Sequence, residues 1–480
     1  MARGMIKRRD MDQAQFKAEE RALLAVTPLD GRYARHTRSL EKYFSEFALI
    51  RYRCRVEIEW YIALAENPAV TAVQELNREV EAKLRRLYQE LSLEDGLAVK
   101  DIERALNHDV KAIEHFLRRK IEALGLGLPL EMVHFACTSE DINNLAYALS
   151  LKNFVEAELE PRLGRVVEAL GGLAQGYKGL AMLGRTHGQA ASPTTLGKEL
   201  AVFAFRLQRQ LRRLKQQEYL GKANGAVGNY NAHHFAYPEA DWIAHSRRFV
   251  ESLGLTWNPL TTQIESHDFI AELFDLMGRI STILIGFARD MWGYISQGYL
   301  SQRVRAGEVG SSTMPHKVNP IDLENCEGNL GLARALFVHL SSTLPISRWQ
   351  RDLSDSTAMR NIGTAFGYFV IAMASLERGL SSVAANEAKI RADLEQEQAW
   401  EVVGEAIQTL MRRHGIPAAY EALKELTRGR AISAGAIRQF IDSLPLDAAA
   451  KARLKDLSPA NYIGLAQELV TRFAPGRKKG

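Results

Sequence analysis

Long apolar stripes at heptad spacing constrain this chain more than any other feature. Leu273, Met277, Ile280, Leu284, Phe287 and Met291 alternate steps of four and three, the pattern that keeps one seam of a helix apolar. Leu196, Leu200, Phe203 and Leu207 repeat it, with Leu214 in phase further on. An unbroken helix over 267–300 is a rod roughly 50 Å long at the α-helical rise per residue. Rods of that length pack side by side in a bundle. Apolar residues on more than one side of a helix ask for more than one neighbour. The stripes are therefore read as core and as subunit interface, not as a cofactor site.

Almost everything else also reads as helix; strand-type alternation is scarce and no internal repeat is evident. Apolar residues recur at helical spacing from Leu40 to Ala65, and Pro68 ends the run. Further helices are expected over about 70–91 and 99–124. Gly125-Leu126-Gly127-Leu128-Pro129 is the clearest punctuation in the first third. Pro161 should kink or interrupt the segment that begins near Glu140. From about Ser382 the pattern shortens, with breaks at Gly415-Ile416-Pro417 and Ser458-Pro459. The expected organisation is all-α: an N-terminal extension over 1–24, a helical domain over 25–128, a central bundle of long helices over 129–381 and a small helical domain over 382–480.

At 480 residues the chain is too long for one small core. Its 46% hydrophobic and 25% charged content is ordinary for a globular protein in water. A net charge of +5 is too modest for a dedicated nucleic-acid binder, which shows a basic stripe, and it suits a small polyanionic substrate. Cys54, Cys137 and Cys326 are far apart and odd in number, which excludes a disulfide framework or a zinc spacing built from them and points to a reducing compartment. No apolar run reaches membrane-spanning length. The first 24 residues lack the apolar core of a signal peptide, and 475–480 read as a frayed basic tail. The expected location is the cytoplasm, without nucleic-acid or membrane partners.

Between two helical segments lies Gly310-Ser311-Ser312-Thr313-Met314-Pro315-His316-Lys317-Val318-Asn319-Pro320. Gly307 and Gly310 free the backbone on its near side, and Pro315 and Pro320 restrict it on the far side. Two hydroxyls, an imidazole, an ammonium and an amide on such a segment suit a lid that closes on an anion; the plain alternative is a solvated connection between helices. The wording of this stretch is similar to the signature of the fumarase/aspartase superfamily, whose members eliminate fumarate from succinyl-type substrates.

Five other stretches carry candidate chemistry. Asp30-Gly31-Arg32-Tyr33 offers a guanidinium fork suited to phosphate. Asn107-His108-Asp109-Val110-Lys111 sits in a helical pattern, with His108 and Lys111 three apart on one face; a salt-bridged helix surface explains it equally. Thr138 with Asp141 three residues later has the form of a capping box, and a helix start with free N–H groups binds anions. Gly184-Arg185-Thr186-His187-Gly188-Gln189 places His187 among small and polar residues, near the start of the next long helix, as a working imidazole would be. Arg351, Ser356 and Arg360 crowd two guanidinium groups and a hydroxyl into ten residues, either a polar helix start or a phosphate clamp. Neither a Walker loop nor a dinucleotide glycine fingerprint is present, so a nucleotide phosphate needs such side chains instead.

Together these stretches resemble the adenylosuccinate lyase family, in its bacterial form, from about Thr27 to about Leu469. Asn224-Gly225-Ala226-Val227-Gly228-Asn229-Tyr230-Asn231, Thr261-Thr262-Gln263-Ile264-Glu265 and Ser347-Arg348-Trp349-Gln350-Arg351-Asp352 extend the similarity. The resemblance implies a fumarase/aspartase-like fold of three domains around the central bundle. It implies a homotetramer with sites shared between subunits, and a C–N lyase that needs no metal or cofactor. It gives Ser311 as general base, His187 as general acid and Glu324 as the carboxylate that orients this histidine. Lys317 and Asn319 would hold a succinyl carboxylate with Thr138, Ser139 and His108, the last flanked by Asn107 and Asp109. Gln263 would lie near the scissile bond. Arg32, Tyr33, Arg351, Ser356 and Arg360 would hold the nucleotide end.

One geometric expectation follows from the bundle itself. Thr138 begins one long helix and His187 lies beyond its far end, so within one subunit they should be tens of ångströms apart, on the order of the length of that helix. A site that uses both must draw on more than one chain. The readings that compete are another member of the superfamily acting on argininosuccinate, malate or aspartate, a scaffold that has lost catalysis, and a helical nucleic-acid binder.

Overall fold

The computed structural model describes residues 20–303, 318–421 and 433–475. It divides into two compact units. The first takes residues up to Pro161 with Arg213–Thr282 and Gly328–Ala374; the second takes Arg162–Arg212, Ile283–Glu327 and the chain from Ser375. Helices dominate both, and the strands among the described residues form only two-stranded pairings.

The first unit is built on the helices Glu46–Ala65 and Ser139–Phe154. Glu46–Ala65 is buried on nearly every side, with Trp60, Tyr61, Ile58 and Leu64 all but removed from solvent. A helix apolar all round needs neighbours all round. Phe44, Phe154, Phe337 and Phe366 fill the space between helices; the Phe44 and Phe366 rings stack at 5.5 Å, and Phe154 meets Phe366 at 4.7 Å. Such packing adds to area burial.

The heptad stripe is core. Leu273, Met277, Ile280, Leu284 and Phe287 are fully buried on the helix Asp268–Ser296. So are Leu196 and Leu207 on Leu196–Leu214. Phe274, Ile283 and Ala288 are buried too, on other faces of Asp268–Ser296, as the need for several neighbours requires. Pro161 interrupts its helix through a π-helical turn. Ser139–Phe154 passes into Val155–Leu159 and then into Glu160–Gly176. The wider turn accommodates a ring that lacks an N–H and crowds the preceding carbonyl.

Three local expectations change. The segment 99–124 is two helices, Leu93–Leu106 and Asp109–Ala123, because Asn107 takes a left-handed conformation (φ 51°) that ends the first. Asn tolerates this better than most residues. The segment 70–91 is helical only over Arg78–Gln89, where the Asn77 side chain caps the first turn. The 184–189 stretch does lie just ahead of a long helix, Leu196–Leu214, but it is a β-hairpin, Ala181–Thr186 paired with Gln189–Thr195, where only helix and loop were expected. In the second unit, the chain past Ser382 forms short helices around Ile407, Met411, Ile437, Ile441 and Leu454. No helix of the described residues is long and apolar enough to cross a membrane.

Candidate active site

In the first unit, several of the singled-out stretches meet on one network of hydrogen bonds and ion pairs. His108 is not on a helix face beside Lys111. It caps the helix Asp109–Ala123, its Nδ1 accepting the Lys111 N–H at 3.1 Å, while the Lys111 ammonium turns to Glu114 at 2.8 Å. Asp109, next in the chain, places one oxygen, Oδ2, 2.7 Å from Arg53 Nη2 and 3.1 Å from Arg360 Nη2. Arg360 also donates to the Ser356 hydroxyl at 3.1 Å. Burial pushes the Asp109 carboxyl upward, but the charge and hydrogen bond of Arg53, the Val110 N–H and the Arg360 charge together outweigh this and hold it below the usual carboxylate range.

The network continues from Arg53. Its Nε donates to Asn143 Oδ1 at 2.9 Å, and Asn143 donates to Glu140 Oε1 at 2.7 Å. Glu140 pairs with Arg351 at 3.1 Å, and Arg351 lies 3.4 Å from Asp355. Asp355 in turn faces His267 Nε2 at 3.2 Å. Four of the predicted residues, Asp109, Arg351, Ser356 and Arg360, are thus joined through three that sequence reasoning did not assign, Arg53, Asn143 and Glu140, and two more, Asp355 and His267, extend the network beyond Arg351. The sequence carried little signal for Arg53, because Arg51, Arg55, Glu57 and Glu59 share its helix.

Thr138 and Ser139 open the helix Ser139–Phe154. The Asp141 carboxylate takes the Thr138 N–H at 2.8 Å, the reciprocal half of the capping box. It also accepts the Lys222 ammonium at 2.9 Å and the N–H groups of Asn224 and Gly225 at 2.9 and 3.2 Å. Burial raises the Asp141 carboxyl, the adjacent Lys222 charge lowers it, and the net direction is down. Asn144 clamps the backbone of Lys222 from both sides, at 2.9 and 3.0 Å. The helix start is therefore bolted to the 222–231 loop. Gln263 donates to the Ala226 carbonyl of that loop at 2.9 Å, and its own N–H reaches the Gln350 carbonyl at 3.2 Å. Gly228 closes the loop over 261–262 with φ 80°; a Cβ there would strike the Thr261 carbonyl.

Among the described residues, six of the eight non-glycine positions with positive φ (Asn107, His134, Ala136, Tyr230, His267 and Trp349) flank these segments. Backbone strain of this kind concentrates where surrounding structure imposes it for function. A cavity of about 410 Å³ opens beside Arg360, walled also by Asp30, Ala34, Thr37 and Thr364. Arg32 and Tyr33 lie between Asp30 and Ala34, next to Gly31, where the Ala22 carbonyl comes within 2.8 Å of where a Cβ would sit.

The second unit holds the other candidates. His187 and Gly188 are the two central residues of the hairpin turn, with φ 53° and 76°. Positive φ at both positions is the type I′ geometry that matches strand twist, and it leaves the His187 imidazole exposed at the tip. Arg185, in the stem, donates to Gln297 at 2.8 Å, and the stem borders a cavity of about 860 Å³ also walled by Lys198, Arg289 and Tyr294. Asn319 precedes the helix Ile321–Thr343. Glu324 in its first turn accepts from the Trp292 indole at 3.1 Å, and no hydrogen bond joins it to His187 within the chain. Ser311 and Lys317 lie outside the described residues.

Similarity to known proteins runs through both units. The pattern of the lyase family matches residues 31–335, and that of the adenylosuccinate lyase C-terminal domain matches 347–463. The chain is 52% identical over 454 residues to adenylosuccinate lyase of Vibrio cholerae, covering 94% of this chain and 99% of that one. It is 51% identical over 450 residues to the Escherichia coli K12 adenylosuccinate lyase, covering 94% and 98%. A fumarate lyase from Mesorhizobium superposes with a TM-score of 0.73 at 19% identity, over 92% of this chain and 98% of that one. The 3-carboxy-cis,cis-muconate lactonizing enzyme of Pseudomonas putida superposes at 0.69 and 21% identity, over 91% and 96%. These two likenesses identify the fold, that of the fumarate lyases. With about half of its residues shared over nearly the whole length of its relatives, the chain belongs to the adenylosuccinate lyase family.

Proposed function

We propose that this chain cleaves adenylosuccinate to AMP and fumarate, and the related imidazole carboxamide ribotide SAICAR to AICAR and fumarate, as a C–N lyase of purine nucleotide biosynthesis. The observation that carries this reading is the near-full-length match to proteins named adenylosuccinate lyase. The constellation in the first unit supports it: Arg351, Ser356 and Arg360 suit a phosphorylated substrate, because a guanidinium fork matches phosphate oxygens. Substrates of argininosuccinate lyase, fumarase and aspartase carry no phosphate.

The elimination needs a base for a carbon-bound proton and an acid for the departing nitrogen. In this reading Ser311, once ionised, takes the proton from the carbon next to the carboxylate. The electron pair left behind forms the double bond of fumarate as the C–N bond breaks, and the His187 imidazolium gives its proton to the nitrogen. An imidazole titrates near neutrality and suits that role; the hairpin tip presents it to whatever docks there. Lys317 and Asn319, with Thr138, Ser139 and His108, stabilise the charge that gathers on the succinyl carboxylate. Gln263 is held between the 222–231 and 347–352 loops, near the bond that breaks. Arg32 and Tyr33, with Asn107 and Asp109, complete the nucleotide end.

The active form in this reading is a homotetramer whose sites combine residues of different subunits. Val202, Phe205, Leu332 and Val338 support it: large apolar side chains on the long helices, each at least 38% exposed in the isolated chain. Glu324 would then orient the His187 of another chain. The test is fumarate release, followed by absorbance, from adenylosuccinate, SAICAR, argininosuccinate, malate and aspartate in parallel. Turnover of the first two alone is expected; turnover of one of the last three in their place would overturn the reading.

A further inference from the structure

Arg53 stands mid-helix with 2% of its surface exposed, among residues that bury apolar surface. Packing alone gives no reason for a guanidinium there, and a buried charge is costly unless paired. It lines neither of the cavities that Arg360 borders. Its two hydrogen-bonded partners instead lead in two directions. Through Asp109 Oδ2 it reaches Arg360; through Asn143 and Glu140 it reaches Arg351.

We propose that Arg53 is a positioning residue for the nucleotide end of the substrate, acting through Arg360 and Arg351 together. The proposal rests on the reading above that those two arginines hold that end. The charge count gives it a mechanism. At Asp109 two guanidinium groups share one carboxylate, while at the other end of the network Arg351 faces two, Glu140 and Asp355; Arg360, held by only one bond to Asp109, keeps donors for a phosphate. Without Arg53 the Asp109 carboxylate would neutralise Arg360 alone and draw it out of place. On the other branch, the planar fork fixes the Asn143 amide so that its nitrogen faces Glu140, and Glu140 holds Arg351 by charge, as an ion pair. A lysine carries the charge but not two donors in fixed geometry.

The experiment compares wild type, Arg53→Lys and Arg53→Met as full-length assembled enzyme, by kcat, KM and the inhibition constants of AMP and of fumarate. AMP reports the nucleotide end and fumarate the succinyl end. Arg53→Lys is expected to raise the AMP constant and KM about tenfold, with the fumarate constant moving less than about twofold and kcat less than about threefold. A purely structural role would move both inhibition constants together or neither, and either result overturns the proposal. Arg360→Gln is the reference. If it leaves AMP binding unchanged, the reading of the nucleotide end fails, and this proposal with it. If it weakens AMP binding and Arg53→Lys does not, this proposal fails alone. The double variant should weaken AMP binding by less than the product of the two single effects; a full product overturns the coupling. Should both Arg53 variants fail to assemble, Asn143→Ala decides, since it cuts the Arg351 branch without changing charge: a rise of about threefold in the AMP constant supports the proposal, and no rise overturns it.

Discussion

The Lys222 ammonium lies 2.9 Å from the Asp141 carboxylate, with side-chain exposures of 0% and 2%. This pair joins the start of the helix Ser139–Phe154 to the 222–231 loop and so decides where Thr138 and Gln263 sit relative to each other. Lys222→Met would leave Asp141 charged, buried and short of its main partner. Loss of one member of a buried ion pair typically costs about 3–5 kcal/mol. Denaturant unfolding of the variant should show a drop of that order, and a variant as stable as wild type would contradict the assignment of the pair.

Acid should destabilise the fold through two buried imidazoles. His233 and His245 pack edge-on against Trp60 and Trp242, with ring centroids 4.9–5.9 Å apart. Among the described residues His233 Nδ1 and His245 Nε2 have no hydrogen-bond partner. Burial pushes both groups down to about 4; Asp141 opposes this at His233, and Arg248 adds to it at His245. The unfolded chain takes up these protons near pH 6.5 and the folded chain only near 4, so stability is lost as pH falls through that window, about 3 kcal/mol per histidine by its lower end. His134 runs the other way. Burial lowers it, the Glu57 carboxylate at 2.6 Å outweighs burial, and the net shift is upward, so its contribution is present below about 6.5 and fades as pH rises through the raised value. His233→Phe should flatten the dependence of the urea midpoint on pH between 6.5 and 4; curves parallel to wild type would rule the histidine out as a cause.

Gly228→Ala tests the closure of the 222–231 loop. The position has φ 80°, and the added Cβ meets the Thr261 carbonyl. Strain of this kind costs on the order of 1–3 kcal/mol. The displaced loop also carries the Ala226 carbonyl that holds Gln263. A lower melting temperature together with a raised KM is expected. A shift in melting temperature with unchanged KM would separate the loop from substrate binding.

Ser311→Ala and His187→Ala should each lower kcat by at least about a hundredfold, the lower range for loss of a general acid or base, with assembly intact by light scattering. Under the proposed sharing of sites between chains, the two variants, mixed and reassembled, should recover part of the wild-type rate, because some sites then include both groups. Verified mixed tetramers without recovery would count against sharing. Normal turnover by Ser311→Ala would remove the proposed base.

Periodicity alone gave the helical class and the central seam, since an apolar residue every third or fourth position has one economical use, burial against other helices. Leu273 to Met291 went from spacing to core without change. The capping-box form at Thr138 was equally legible, because it depends on residues three apart. At two of the places where local rules failed, positive φ was responsible. Asn107 turned left-handed and split one expected helix into two, and His187-Gly188 adopted positive φ and folded a polar stretch into a hairpin.

By itself the sequence determined the family, the long helices and the inventory of reactive side chains, all of which are set by residue type and near-neighbour spacing. Tertiary structure alone decided which charges meet. Arg53 and Asp109 are 56 positions apart, Asp109 and Arg360 are 251 apart, and Lys222 and Asp141 are 81 apart. No periodic pattern encodes such pairings. They arise when helices pack and polar groups carried inside must find partners or bear the cost of desolvation.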